Sequence, residues 1–401
     1  MESPHLWGRP VTVVHTSRTL LLTNDFPPRL GGIETFCHEL AQRMPRAGDG
    51  GPGVVVYTSH TPGAAAVDAT LAFPVVRDPA ATLLPTPAVA RRAAQLVGEF
   101  DCDRVVVGAA APLGLLAPQL RAAGVRHILA ITHGHEMWWA RLPGSRQLLR
   151  RIADGVDVLT YLGQHTRTGI EPALSPAGRS RLARLTPGVD PALFHPDLDP
   201  APVRRRHNLG SAPVVLCATR LVARKGVDTL LRAWPLVRQE TPEARLLVVG
   251  QGPDQARLRR LRDRLDDDTA ASVIFAGGQP HAALPEYFAA ADVFALPCRT
   301  RRAGLEAEAL GIVYLEAAAS ALPVLVGDSG GAPEAVRNGE TGHVVDGRDP
   351  HQVAQRITAL LAAPEHARVL GQRGRQWVLA EWTWVAVATR LRFLCPPDTG
   401  P

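Results

Sequence analysis

The feature that most constrains the fold is a rhythm. Short, uninterrupted apolar runs alternate with helical patterns along almost the whole 401-residue chain. In the first half the runs are "RTLLLTN", "GVVVYTS", "RVVVGAA", "HILAITHG" and "DVLTYLG", with helical stretches such as "GIETFCHELAQRM" and "PAVARRAAQLVGEF" between them. In the second half they are "PVVLCATR", "ARLLVVGQG", "SVIFAGGQ", "DVFALPC" and "LPVLVGD", with helices such as "VDTLLRAWPLVRQE" and "DPHQVAQRITALLAA". A strand with one face in water alternates polar and apolar residues, whereas a strand covered on both faces is apolar throughout. The pattern therefore predicts an α/β chain built from two Rossmann-like, doubly wound units of parallel sheet.

The break between the units falls in "TPGVDPALFHPDLDPAPVRRRHNLG", residues 186–210, rich in Pro and Asp and poor in periodicity. Three segments follow: an N-terminal domain over 1–195, a C-terminal domain over 196–375, and a tail over 376–401. In the tail, "QWVLAEWTWVAVATRLRFL" reads as a helix whose Trp377, Trp382 and Trp384 pack back on the N-terminal domain. Residues 1–17 precede the first strand, either as an extension or as residues ahead of the true start.

Composition narrows the function. No apolar run reaches the length of a membrane span, and the start "MESPHLWGRP" lacks the apolar core of a secretory signal. Five scattered cysteines, odd in number and without metal-ligand spacing, point to reduced thiols in a cytoplasmic protein. The net charge of +6 suits an anionic membrane surface or a phosphate-bearing substrate. The arginines are spread without a recognition-helix or zinc-finger pattern, so nucleic acid is not an expected partner. Among the 44 lysines and arginines, Lys225 is the only lysine. A GC-rich codon bias explains the arginines, but not why this position escapes it.

Ligands of doubly wound sheets bind beyond the C-terminal ends of the strands, which singles out four loops. In "TNDFPPRLGGIETF", Gly31 and Gly32 open a helix and let backbone approach an anion, or simply make a turn. The spacing is not that of a dinucleotide fingerprint. In "ITHGHEMWW", His133, His135 and Glu136 are compatible with a metal, with a substrate hydroxyl or with a structural role. In "RLVARKG", Arg220, Arg224 and Lys225 lie between a strand end and a helix start. Cations there are unfavourable beside the helix dipole unless an anion lies between them; a solvated charge cluster is the plain alternative. In "EALGIVYLE", Glu308 and Glu316 flank Gly311. One continuous helix would set these carboxylates ~12 Å apart along its axis, too far for a glycosidase pair. Glu308 is therefore expected on a loop and Glu316 in a helix beginning after Gly311. The amides of Gly311, Ile312 and Val313 would then face the cleft.

In combination these motifs resemble the retaining glycosyltransferases of the GT-B fold, family four, over roughly Arg18 to Val385. The runs "TNDFPPRLGGIE", "THGHE", "ALGIVYLEA" and "SGGAPEAV" are similar to those of actinobacterial phosphatidylinositol mannoside mannosyltransferases. The resemblance implies a sugar-nucleotide donor, GDP-mannose, and a glycolipid acceptor at the membrane surface. It implies that Arg220 and Lys225 bind the diphosphate, Glu316 the ribose, and Glu308 with the Gly311–Val313 backbone the donor sugar. Gly278 and Gln279 would meet the base, His135 the donor sugar, and Gly31 and Gly32 the phosphates and acceptor. It further implies front-face substitution with neither a protein nucleophile nor a metal or other cofactor. The stretch "CRTRRAGLEAEALG" departs from the Gly-rich pattern of the family at a loop bordering the donor sugar.

For the acceptor side, Arg141, Arg146, Arg150 and Arg151, with Trp138 and Trp139, would form an interfacial patch or an ordinary solvated helix. Other readings are transfer of another sugar to a non-lipid acceptor, a sugar-nucleotide epimerase of the same fold, and a silent binding protein. The pairing of Arg220 with Lys225 and of Glu308 with Glu316 argues against the last two.

Overall fold

The computed structural model describes residues 18–29 and 31–396. The stretch ahead of the first strand and the last five residues of the tail lie outside the described residues.

The apolar runs form two sheets, each parallel throughout. The first contains β1 (Arg18–Thr23), β2 (Val54–Thr58), β3 (Val75–Arg77), β4 (Cys102–Val107), β5 (His127–Ala130), β6 (Val158–Tyr161) and β7 (Leu182–Arg184), in the order β3-β2-β1-β4-β5-β6-β7. The second contains β8 (Val214–Ala218), β9 (Arg245–Val249), β10 (Val273–Gly277), β11 (Val293–Leu296), β12 (Val324–Gly327) and β13 (Gly342–Val345), in the order β10-β9-β8-β11-β12-β13. The order reverses between β1 and β4 in one sheet and between β8 and β11 in the other. These are the points where flanking loops diverge and leave a crevice.

Every residue of β8, β11 and β12 is buried, as helices on both faces require. The first sheet separates two apolar layers, with Leu20, Leu22, Val105 and Val107 on one side and Leu21, Val56, Val106 and Leu129 on the other. That alternation sets successive side chains on opposite faces. Strands β3, β7 and β13 are short strands at the sheet edges, only partly buried. Their short runs carry little apolar signal, and the strand pattern of the sequence does not mark them.

The tail is not one helix. The helix Pro364–Glu381 stops, and a second, Trp384–Leu394, begins. The Thr383 hydroxyl caps the second helix by accepting from the Ala386 amide at 3.2 Å. At the break, Val189 pairs with Thr383. Trp377 and Trp382 stay in the core of the second domain, edge to face at 5.4 Å. Trp384, Val387, Leu391 and Cys395 pack into the layer formed by Leu21, Phe36 and Leu129 of the first. All five cysteines are buried and unpaired. Among the described residues no helix is long and apolar enough to cross a membrane.

Trp384 touches both Phe36, at 5.9 Å between rings, and the Arg43 guanidinium, at 5.5 Å. Trp384→Ala is expected to weaken the first domain by ~3 kcal/mol or more. Equilibrium urea unfolding checks this: an unchanged midpoint would mean that the last helix is not part of that core.

Candidate active site

The crevice of the second sheet is built from the loops after β8 and β11. After β8 the chain makes a tight turn, Ala223–Lys225, and enters the helix Val227–Glu240 through Gly226. Gly226 has φ 71°, and a Cβ there would lie 1.8 Å from the Pro297 carbonyl oxygen. Only glycine allows this contact, which presses the turn against the chain leaving β11. From the turn, the Lys225 Nζ reaches the Glu308 Oε2 at 2.7 Å, and the Arg224 guanidinium binds the same oxygen. Lys225 and Glu308 are each only 8 % exposed. Burial works to raise the Glu308 pKa, but Lys225 and Arg224 outweigh it and hold the carboxyl below its usual range.

The Glu308 backbone is fixed too. Its amide donates to Ser329 Oγ at 3.3 Å, and its carbonyl accepts from the Gly331 amide at 2.8 Å. Glu308 lies on a loop, and Gly311, at φ 86°, turns the chain into the helix Ile312–Ala319. The amides of Gly311, Ile312 and Val313 have no partner among the described residues. Glu316, in that helix, is buried and bonds His281 Nε2 at 2.9 Å. This bond raises the His281 pKa. His281 follows Gly278 and Gln279, which leave β10, and its ring rests edge-on against Phe194 of the linker at 5.4 Å. Gln279 caps its own loop by donating to the Ala276 carbonyl at 2.9 Å.

The loop after β5 faces this crevice from the other domain. Gly134 lies so near Ala309 that an added Cβ would come within 3.1 Å of that residue's Cβ. Glu136 is fully buried, and its Oε2 accepts from the His133 and Gly134 amides at 3.0 and 3.2 Å. Burial pushes its carboxyl up. Its other oxygen lies 3.2 Å from the Nε2 of the half-exposed His135. His133 is engaged otherwise: its Nε2 bonds the Gly108 carbonyl at 2.6 Å, and burial lowers its pKa to about 4. Among the described residues no three His, Cys, Asp or Glu side chains cluster so as to hold a metal.

Lys225 is thus in contact with Glu308, Gly311 leads into the helix that carries Ile312, Val313 and Glu316, and His135 lies on the loop of the first domain that approaches Ala309. Arg220, just past β8, is exposed and makes no side-chain bond among the described residues. Gly31 and Gly32 lie at the start of the helix Gly32–Gln42, with the Glu34 side chain folded over Gly31. The same helix carries Glu39, which is within electrostatic reach of His281.

Residues 30–193 match glycosyltransferase family 4, and residues 202–377 match the group 1 glycosyl transferases. Over 379 residues the chain is 46% identical to the GDP-mannose-dependent alpha-(1-6)-phosphatidylinositol monomannoside mannosyltransferase of Mycobacterium tuberculosis (strain ATCC 25618 / H37Rv), which spans 94% of this chain and 97% of that one. The chain belongs to the group 1 glycosyltransferases. A Corynebacterium glutamicum relative, a GDP-mannose-dependent monoacylated alpha-(1-6)-phosphatidylinositol monomannoside mannosyltransferase, is 42% identical over 93% of this glycosyltransferase and 96% of its own length. The crystal structure of the Anabaena HepE protein with UDP shares the fold, with a TM-score of 0.77 at 17% identity, over 94% of this chain and 98% of that one.

Sequence reasoning missed three polar groups of this glycosyltransferase's cleft. Asp25, just past β1, lies within electrostatic reach of His135; burial raises its pKa against the pull of His135 and Arg29. His281 covers Glu316. Glu334 joins the two domains and is treated below. Asp25 and Glu334 lie in runs quoted above, "TNDFPPRLGGIE" and "SGGAPEAV", but those runs gave neither residue a role, and His281 lies in no such run.

The depressed Glu308 pKa has a definite sign in stability. The contribution is complete above the ordinary glutamate range and is lost as pH falls through the lower folded value. The gap in thermal midpoint between wild type and Glu308→Gln should be constant above pH ~4.5 and shrink below it. A gap that persists undiminished into acid would show that the carboxylate charge contributes nothing.

Proposed function

We propose that this glycosyltransferase moves mannose, with retention of configuration, from GDP-mannose to a phosphatidylinositol mannoside at a membrane surface. The reading rests above all on 46% identity along 94% of the chain to an enzyme named for that donor and acceptor. The crevice supplies what such a transfer needs. As the bond from the anomeric carbon to the diphosphate breaks, charge develops on the leaving oxygen. Lys225, Arg220 and the open amides at Gly311–Val313 stabilise it, and do so more strongly in the transition state than in the ground state. The acceptor hydroxyl attacks from the same face, and its proton passes to the departing phosphate oxygen. Glu308 holds the donor sugar, while its pairing with Lys225 and Arg224 keeps it an acceptor of hydrogen bonds. Glu316 takes the ribose hydroxyls, which requires His281 to share or release its Oε1. Gly278 and Gln279 border the base. His135 closes over the donor sugar, with the buried Glu136 carboxylate 3.2 Å from its Nε2. Gly31 and Gly32 leave room over the phosphates and acceptor.

The acceptor arrives at the membrane. The helices Glu136–Arg141 and Pro143–Gly155 expose Trp138 and Leu142 next to Arg141, Arg146, Arg150 and Arg151. Exposed apolar residues followed along the same segment by exposed cations suit peripheral binding to an anionic leaflet. Trp139, by contrast, is half-buried against the first core.

Incubation with a panel of sugar nucleotides and a membrane lipid extract, read by mass spectrometry, tests the whole reading. A phosphatidylinositol mannoside should gain one hexose from GDP-mannose; if no lipid gains a hexose from any donor, the reading fails. Lys225→Arg should lower kcat/KM at least tenfold, ~1.4 kcal/mol in the barrier, because a guanidinium overfills a site that closes on one carboxylate oxygen. Arg146→Glu combined with Arg150→Glu should reduce cosedimentation with phosphatidylglycerol vesicles. Unchanged binding would place the membrane contact elsewhere.

A further inference from the structure

The motif "SGGAPEAV" is not absorbed by the chemistry above, yet its glutamate makes the most direct polar contact across the cleft. Glu334 belongs to the second domain, in the short turn Ala332–Ala335. Its carboxylate accepts from two amides of the first: Gln164 N to Oε2 at 2.7 Å and His165 N to Oε1 at 2.9 Å. Charge-assisted bonds of this two-pronged kind fix direction as well as distance. The fit depends on Gly163, where a Cβ would come within 2.3 Å of Oε2.

The same loop holds the donor side. Ser329 Oγ accepts from the Glu308 amide, and the Gly331 amide donates to the Glu308 carbonyl at 2.8 Å. A Cβ on Gly330, which has φ 57°, would lie 2.2 Å from that carbonyl oxygen and 3.1 Å from His165 Nε2. Residues 329–334 therefore grip the backbone of Glu308 at one end and the first domain at the other. The Glu308 carboxylate in turn carries Lys225 and Arg224.

We propose that Glu334 is a positioning residue: it clasps the two domains so that the closed cleft and the placement of the Glu308 loop are one event. The consequence for transfer rests on the reading that the cleft takes a sugar nucleotide. The clasp itself does not. Most of the proposed donor contacts lie in the second domain, whereas His135, Gly31, Gly32 and the acceptor surface come from the first. Loss of the clasp leaves donor binding in place and removes the assembled geometry, so it lowers kcat more than it changes KM for donor.

Two measurements on the full chain test this. Small-angle scattering of the unliganded protein should show a larger radius of gyration for Glu334→Ala than for wild type, at an unchanged thermal midpoint. Equal radii overturn the clasp whatever the donor is. Transfer from GDP-mannose should fall at least tenfold in kcat for Glu334→Ala, with KM for donor within about threefold of wild type. A kcat equal to wild type, or a loss carried mainly by KM, overturns the positioning role. Gly163→Ala should reproduce the loss, and combining it with Glu334→Ala should add nothing further, since both remove one contact. Multiplying losses would overturn the pairing. If wild type transfers nothing from GDP-mannose, the donor reading fails, and the scattering comparison still decides the clasp.

Discussion

A carboxylate removed from water is unstable unless its charge is met at short range. Glu308 is met twice, by Lys225 and Arg224 on one oxygen, and much of the crevice follows from that. The two cations come from the loop after β8 and the carboxylate from the loop after β11, the two strands between which the sheet order reverses. Gly226 packed on Pro297 holds the same two loops in contact at their backbones. Neither loop can relax without the other. The anion expected between the cations at this helix start is thus supplied by the protein itself. On the proposed reading, a diphosphate would meet cations that are already oriented, so little reorganisation would be needed at the moment of reaction.

A second charge network, centred on Asp228, contrasts with the pairing of Lys225 and Arg224 on Glu308. Asp228, buried in the first turn of the helix Val227–Glu240, takes Arg299 at 2.8 Å, while Arg299 Nη1 also donates to Thr229 Oγ1 at 2.7 Å. Arg257 bridges the same aspartate at 3.5 Å to Asp254 at 2.6 Å. Each of these arginines uses the breadth of its fork to span two acceptors. Lys225, by contrast, reaches a single carboxylate oxygen from a buried position, where a compact head on a flexible stem suits the site without spanning a second acceptor.

The sequence carried the architecture because the decisive signal was local. An apolar run such as "PVVLCATR" is a buried strand whatever surrounds it, and the loop after it is a site by topology alone. The placement of Glu308 on a loop and Glu316 in a helix was legible for the same reason, since Gly311 breaks the helical period between them. What was not legible depended on contacts distant in sequence. Glu334 was visible as part of the run "SGGAPEAV", but its contact was not, because its partners are amides some 170 positions earlier. The partnership of Glu308 with Lys225 was equally hidden: each was visible as a charged residue in a loop, and only the register of β8 against β11 brings them together. The break in the tail was hidden for a related reason: the last helix packs on the first domain as expected, but the interruption at Thr383, beside its pairing with Val189, is a contact that periodicity does not encode.

The chain crosses between the domains twice, through the linker after β7 and through the segment at Trp382–Trp384. These crossings are stitched to each other. The Val189 amide donates to the Trp382 carbonyl at 2.8 Å, and the Trp384 amide to the Val189 carbonyl at 3.3 Å. Gly188 brings the linker backbone so close that an added Cβ would lie 2.7 Å from the Trp384 nitrogen. The two covalent connections are thus bound together at one place between the domains. Trp377 and Trp382 anchor this junction in one core and Trp384 in the other. Away from it, Glu334 meets the amides of Gln164 and His165, and Ala309 lies against Gly134. Contacts at the junction and across the cleft together fix how the two domains face one another.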